Sequence, residues 1–231
     1  MAVDWVVMCG NTYKERGFAM LDQLRQEVCE CNKLLPKYNL VVMTSGTVSG
    51  RDPKTGLIAI KPSGYSYEIM QPMDVVIVDI EGTVVEGHLK PSVDLNTHLY
   101  LYRARNDVQG VVHTHSPYAS IFAILGKPIP ACLTACAMLG GEIPIGDLKL
   151  VGGEDIGEEI VRKIGDKFAI IMRNHGIYTI GKNATQALKM AVEVEEIAKI
   201  THFAMCQGEP IKLSEADIKF TRAIYENDYG Q

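Results

Sequence analysis

The sequence predicts an α/β protein, with one domain built on a mixed or antiparallel central sheet flanked by helices. Three observations lead there. Segments of strand and helix periodicity alternate along the whole chain instead of segregating into halves. Apolar runs come in close pairs joined by short turns, which is the pattern of hairpins and not of a strict βαβ repeat. Hydrophobic residues make up 47% of the 231 residues, and no low-complexity segment, charge block, repeat or linker interrupts them. Residues 1–231 therefore read as a single domain, with 1–15 as a loosely ordered N-terminal extension.

Taken in order, Phe18, Leu21, Leu24, Val28 and Leu35 recur at helical spacing and predict a first helix ending near Pro36. Leu40 to Met43 and Leu57 to Ile60 read as strands. The run Val75 to Val78 with Thr83 to Val85 reads as a hairpin around Glu81-Gly82. Asp94 to Arg105 is helical, Gly110 to His115 a buried strand, and Tyr118 to Leu125 helical again. A helix over Glu154 to Ile164 leads to two strands, Phe168 to Met172 and Ile177 to Ile180. Asn183 caps a long helix reaching about Cys206. Ser214, with Asp217 three residues on, starts the last one.

Composition excludes several classes. The formal net charge is −5 and no basic stripe exists, so nucleic acid is not an expected partner. No apolar stretch reaches the roughly 18 residues of a membrane span. The short apolar run Trp5 to Cys9 has Asp4 in front of it and no basic region, unlike a secretion signal. Six cysteines without a Cys-x-x-Cys pair suggest reduced thiols in a cytoplasmic protein.

The chemistry-bearing residues are histidines. His113 and His115 end an apolar strand, and residues two apart on a strand share a face. Alone, such a pair fits two packing or surface histidines as well as a metal. His175 follows another apolar strand and precedes Gly176, where backbone can approach closely. Three neutral imidazoles leave a coordination position open, as catalytic zinc requires. His88, His98 and His202 read as surface or packing residues. The segments Thr44-Ser45-Gly46-Thr47, Ser63-Gly64 and Ser92 are ordinary turn residues singly. Together with Lys61 they could converge on an anion. Asp94 by itself reads as a helix N-terminal residue favoured by the helix dipole.

Four segments occur in order: Lys61-Pro62-Ser63-Gly64, then Lys90-Pro91-Ser92-Val93-Asp94 with His98 after it, then Gly110-Val111-Val112-His113-Thr114-His115, then Asn174-His175-Gly176. From about Leu21 to Gln231 the chain resembles the class II aldolase family. That resemblance implies a three-layer fold with a mixed sheet between helices. It also implies a homotetramer with sites at subunit interfaces. The metal, zinc or another divalent ion, would be held by His113, His115 and His175. Gly46, Thr47, Lys61, Ser63, Gly64 and Ser92 match the phosphate-binding positions. Asp94 falls where the family carries its acid–base carboxylate, and Tyr229 falls where it carries a tyrosine that reaches a neighbour's site as proton donor. Thr47 and Val93 depart from the usual Asn and Ser.

The activity implied is retro-aldol cleavage of a ketose phosphate such as L-fuculose 1-phosphate, giving dihydroxyacetone phosphate and an aldehyde. The alternative is 4-epimerisation of L-ribulose 5-phosphate by the same chemistry. Asp94 and the ending Tyr229-Gly230-Gln231 resemble the epimerases. The stretch Leu133 to Gly141 lacks their loop aspartate and looks more like the aldolases. A non-catalytic, adducin-like scaffold should have lost the metal histidines, and this chain keeps all three.

Overall fold

Order in this protein begins with one long helix and how it stops. The computed structural model describes residues 6–227, with side chains for 21–225 and 227. Helix α1 (Val6–Lys37) ends in a Schellman motif. Asn39 adopts the left-handed conformation (φ 56°) and donates to Pro36 O at 3.1 Å, while Leu40 N donates to Leu35 O at 3.0 Å. The expected strand at Leu40 to Met43 is therefore absent. Leu40 and Val41 are buried beneath the cap, the chain turns again at Met43 (φ 58°), and Val42 and Met43 are exposed. The apolar run is used to seal a helix end. Of the expected extension, residues 1–5 lie outside the described residues and 6–15 are part of α1.

The strand that replaces it in the sheet is β1 (Thr47–Arg51), whose sequence TVSGR carries little hydrophobicity. It is central nonetheless, paired antiparallel with β2 (Ile58–Ile60) on one side and β5 (Gly110–Thr114) on the other. Strands β3 (Val76–Val78) and β4 (Val84–Glu86) form the expected hairpin. In its turn the Asp79 carboxylate accepts the backbone N–H groups of Glu81 and Thr83. With β6 (Ile145–Gly146), β7 (Ala169–Met172) and β8 (Gly176–Gly181), the sheet has eight strands in the order β4-β3-β2-β1-β5-β8-β7-β6. Every pairing is antiparallel except β6 with β7.

Strand alternation gives the sheet two apolar faces, and each is covered. Val48, Ala59, Ile77, Val112 and Ile171 pack in one cluster with residues of α1, α3 (Pro117–Leu125) and α5 (Ala184–Gln207). Ile58, Ile60, Val111, Ile170 and Tyr178 pack in the other with residues of α2 (Leu95–Ala104) and α4 (Asp155–Ile164). The result is a single α/β domain of three layers. Two helix starts form as the sequence predicts. Asn183 Oδ1 accepts Gln186 N at 2.7 Å at the head of α5. Ser214 and Asp217 exchange side-chain to backbone bonds at the head of α6 (Glu215–Asn227). No helix among the described residues is long and apolar enough to cross a membrane. The five cysteines with described side chains, Cys29, Cys31, Cys132, Cys136 and Cys206, are all free thiols.

Candidate active site

The site forms where β5 and the β7–β8 hairpin end. His113 sits between Thr47 of β1 and Tyr178 of β8 in register, so all three side chains lie on one face. The Tyr178 ring stacks on the His113 ring, with centroids 4.2 Å apart and planes 15° from parallel. His113 Nδ1 lies 2.9 Å from Ile177 O. A carbonyl only accepts, so Nδ1 carries the proton and Nε2 presents a free electron pair. That Nε2 is 3.0 Å from His115 Nε2.

His175 arrives from the three-residue hairpin Arg173-Asn174-His175, in which Asn174 takes the left-handed conformation (φ 56°) and its N–H donates to Ala123 O. Its ring lies 4.7 Å from that of His113 and 5.1 Å from that of His115, centroid to centroid. Gly176 permits this approach. A Cβ there would fall 2.4 Å from Thr114 O and 2.7 Å from His115 Cδ2.

Candidate ligand atoms of the three histidines all lie within 4.8 Å of one another. Burial, followed by His113 and His115, lowers the pKa of His175 to about 4, and burial with His113 lowers that of His115. Both rings are thus neutral at physiological pH, the form that coordinates. Three imidazole nitrogens at this spacing, one with its tautomer fixed by a backbone carbonyl, fit a divalent ion of the zinc type.

Asp94 stands at the N-cap position of α2, yet its side chain makes no capping hydrogen bond. It is buried, and its Oδ2 accepts Ser92 Oγ–H at 3.2 Å. Burial alone would raise its pKa, but the fields of His113 and His98, with the Ser92 bond, outweigh this and hold the carboxyl below its usual range. The helix-start reading of Asp94 therefore has no hydrogen bond to support it.

The anion side of the pocket is made by two segments laid edge to edge. Ser63 N donates to Lys90 O and Ser92 N to Lys61 O, joined by the bridge between Pro62 and Pro91. Lys61 is almost wholly buried, with Nζ 3.0 Å from Thr44 O and 4.7 Å from the centroid of the Tyr67 ring. Burial, opposed by Asp94, lowers its pKa to about 8. The Tyr67 hydroxyl sits between Ser45 O (2.6 Å) and Gly46 O (2.9 Å), pinning that loop. Gly46 (φ 85°) has no room for a side chain, since a Cβ would lie 2.5 Å from Val41 Cγ1.

Gly46, Lys61, Ser63, Gly64, Ser92, Asp94, His113, His115 and His175 line one pocket of about 190 Å³, together with Thr44, Ser45, Val93 and Val151. Thr47 does not line it. That residue is buried in β1 beside His113, and its hydroxyl has no partner among the described residues. Tyr229 lies outside the described residues. Sequence reasoning read His98, which is fully buried, as a surface or packing residue, and it passed over Val151, from a loop distant in sequence. The signals for His98 were its place after the Lys90–Asp94 segment and its spacing of four from Asp94, a single helical turn.

Comparison with known proteins agrees with this architecture. The family model for the class II aldolase and adducin N-terminal domain matches residues 26–202. An L-fuculose 1-phosphate aldolase structure is 30% identical, with a TM-score of 0.85 over 88% of this chain and 96% of that one. The L-fuculose 1-phosphate aldolase from Glaciozyma antarctica PI12 is 25% identical (TM-score 0.76, covering 89% and 82%). YgbL from Escherichia coli, a candidate aldolase, epimerase or decarboxylase, shares the fold at 23% identity (TM-score 0.79, covering 88% and 99%). The fold and the histidine group thus define an α/β protein of aldolase type. The chain belongs to the class II aldolase family.

Proposed function

We propose that the protein is a metal-dependent lyase that cleaves a ketose phosphate, such as L-fuculose 1-phosphate, into dihydroxyacetone phosphate and an aldehyde. The observation that carries this reading is the joint pocket: three convergent histidines, a buried carboxylate and a buried lysine lie within a single cavity. His113, His115 and His175 would hold the ion, which we take to be zinc. When bound, it supplies Lewis-acid stabilisation of the negative charge that cleavage leaves on the three-carbon fragment.

The chain's own groups do the rest. Lys61, the N–H groups of Thr44, Gly46 and Gly64 and the hydroxyls of Thr44 and Ser63 bind the phosphate, in the cradle that Ser92 helps to shape. The ionised Asp94 carboxylate takes the proton from the hydroxyl on the carbon beyond the bond to be broken. That carbon–oxygen bond becomes the aldehyde carbonyl as the carbon–carbon bond breaks. Tyr229 of a neighbouring subunit delivers the proton that the new carbanion carbon needs. A homotetramer in the cytoplasm is part of this reading, and the exposed apolar side chains of Phe203, Ile211 and Phe220 support association.

The second reading is a 4-epimerase, which the aspartate at position 94 favours. Against it, the 3-10 turn Thr134–Leu139 offers no carboxylate and buries Cys136, Ala137 and Leu139. A panel of sugar phosphates decides between the two, with triose phosphate coupled to NADH oxidation and products identified by NMR. Release of dihydroxyacetone phosphate from a ketose 1-phosphate is the expected result. Interconversion of L-ribulose 5-phosphate and D-xylulose 5-phosphate, with no triose phosphate from any ketose 1-phosphate, would establish the epimerase instead.

A further inference from the structure

Behind Asp94, away from the pocket, a chain of polar side chains crosses an otherwise apolar layer. Ser49 of β1 and His98 and Tyr102 of α2 are each fully buried. The neighbours there are Ile60, Val111, Leu99 and Leu101. The Tyr102 hydroxyl and the Ser49 hydroxyl are 2.7 Å apart, and Ser49 Oγ is 2.7 Å from His98 Nδ1.

Hydrogen counting fixes the direction of this chain. The buried phenol must place its hydrogen on an acceptor, and Ser49 Oγ is the one at hydrogen-bond distance. Ser49 then has its own hydrogen left to give, and it goes to His98 Nδ1. Nδ1 is therefore the bare nitrogen, and the proton of the neutral ring sits on Nε2. This Nε2–H is fully buried and has no partner among the described residues. A buried donor left so is costly and calls for a reason.

His98 stands one helical turn after Asp94, so the two share a face of α2. Burial lowers the pKa of His98, opposed by the charge of Asp94. One oxygen of Asp94 accepts the Ser92 Oγ–H, and among the described residues no hydrogen bond reaches the other. We infer that His98 is a positioning residue for Asp94. Held in its Nε2–H tautomer by the Tyr102–Ser49 hydroxyl chain, it supplies the donor that keeps the Asp94 carboxylate ionised and oriented once substrate shuts the pocket off from water. The geometry alone carries the tautomer, and the role in turnover rests on the lyase reading above.

The test has two arms. In protein with 15N-labelled histidine, imidazole NMR should show a neutral ring protonated at Nε2, with its signals lost in His98→Gln. In kinetics, Ser49→Ala should lower kcat about ten-fold, the scale of lost supporting hydrogen bonds, with KM within two-fold and histidine-bound metal unchanged. Glutamine at 98 keeps a donor near the Nε2 position and should recover part of what His98→Leu loses. The loss should vanish in an Asp94→Asn background, because both changes act through the same carboxylate. A ring protonated at Nδ1, a wild-type kcat in Ser49→Ala, or losses that multiply in the double variant would each overturn the proposal. If no sugar phosphate is cleaved at all, the lyase reading fails, and the NMR arm still decides whether the relay exists.

Discussion

A single buried carboxylate separates two roles for Asp94 that the sequence left open. A capping aspartate tolerates asparagine, because asparagine caps as well. A base does not. Since Asp94 makes no cap bond to α2, Asp94→Asn should leave the far-UV circular dichroism and melting temperature near wild type. It should lower kcat by roughly 10²-fold or more. Equal activity would restore the structural role. Lys61 makes a second prediction at this scale. Its depressed pKa, about 8, means the cation is present below that pH and lost above it. A phosphate substrate needs the cation. The kcat/KM of the free enzyme should therefore fall as pH rises through about 8, and Lys61→Met should flatten that limb while raising KM. An unchanged alkaline limb in Lys61→Met would assign the titration to another group.

At the scale of elements, the β7–β8 hairpin brings His175 against the end of β5. The clearance is set by a missing side chain at Gly176, where a Cβ would overlap Thr114 O. Gly176→Ala should push the two strand ends apart and loosen the metal site more than the fold. Metal content after gel filtration should drop while the circular dichroism spectrum holds. Undiminished metal binding would show that the hairpin yields without cost. The cap of α5 lies at the other end of β8, and it gives the converse case. Asn183→Ala removes a hydrogen bond remote from the pocket and should cost about 1 kcal/mol of stability, read as a lower melting temperature, with kcat unaffected.

For the whole molecule, two linked measurements bear on the proposed reading. Purified protein should hold close to one divalent ion per chain. Chelation should abolish activity and lower the melting temperature, because a ligand that binds only the folded state stabilises it by mass action. His115→Ala should lose most of the ion. A metal-free wild-type protein with full activity would reject the metal reading. Light scattering at micromolar concentration should give a tetramer, and a fully active monomer would remove Tyr229 from a neighbour's site.

What the sequence determined by itself was whatever depends on local periodicity or on one chemical signature. The helices from α2 to α6, the Val76–Glu86 hairpin and the caps at Asn183 and Ser214 were all readable, because each is specified within a few residues, while the three histidines as one group came from the family resemblance. The tertiary structure decided the remainder. Leu40 to Met43 looked like a strand by composition, but Asn39 in the left-handed conformation turned those apolar groups into a helix seal. Thr47–Arg51 carried no strand pattern, yet it is central because its partners β2 and β5 bury it from both sides. Two-residue β6 is likewise a strand only beside β7. His98 read as packing, and only the fold places Ser49, distant in sequence, against its Nδ1. Pairing partners and tautomers are properties of contacts between distant segments. No window of local sequence contains them, and the physical reason is that burial and hydrogen-bond satisfaction are settled by the whole sheet and the helices packed on it.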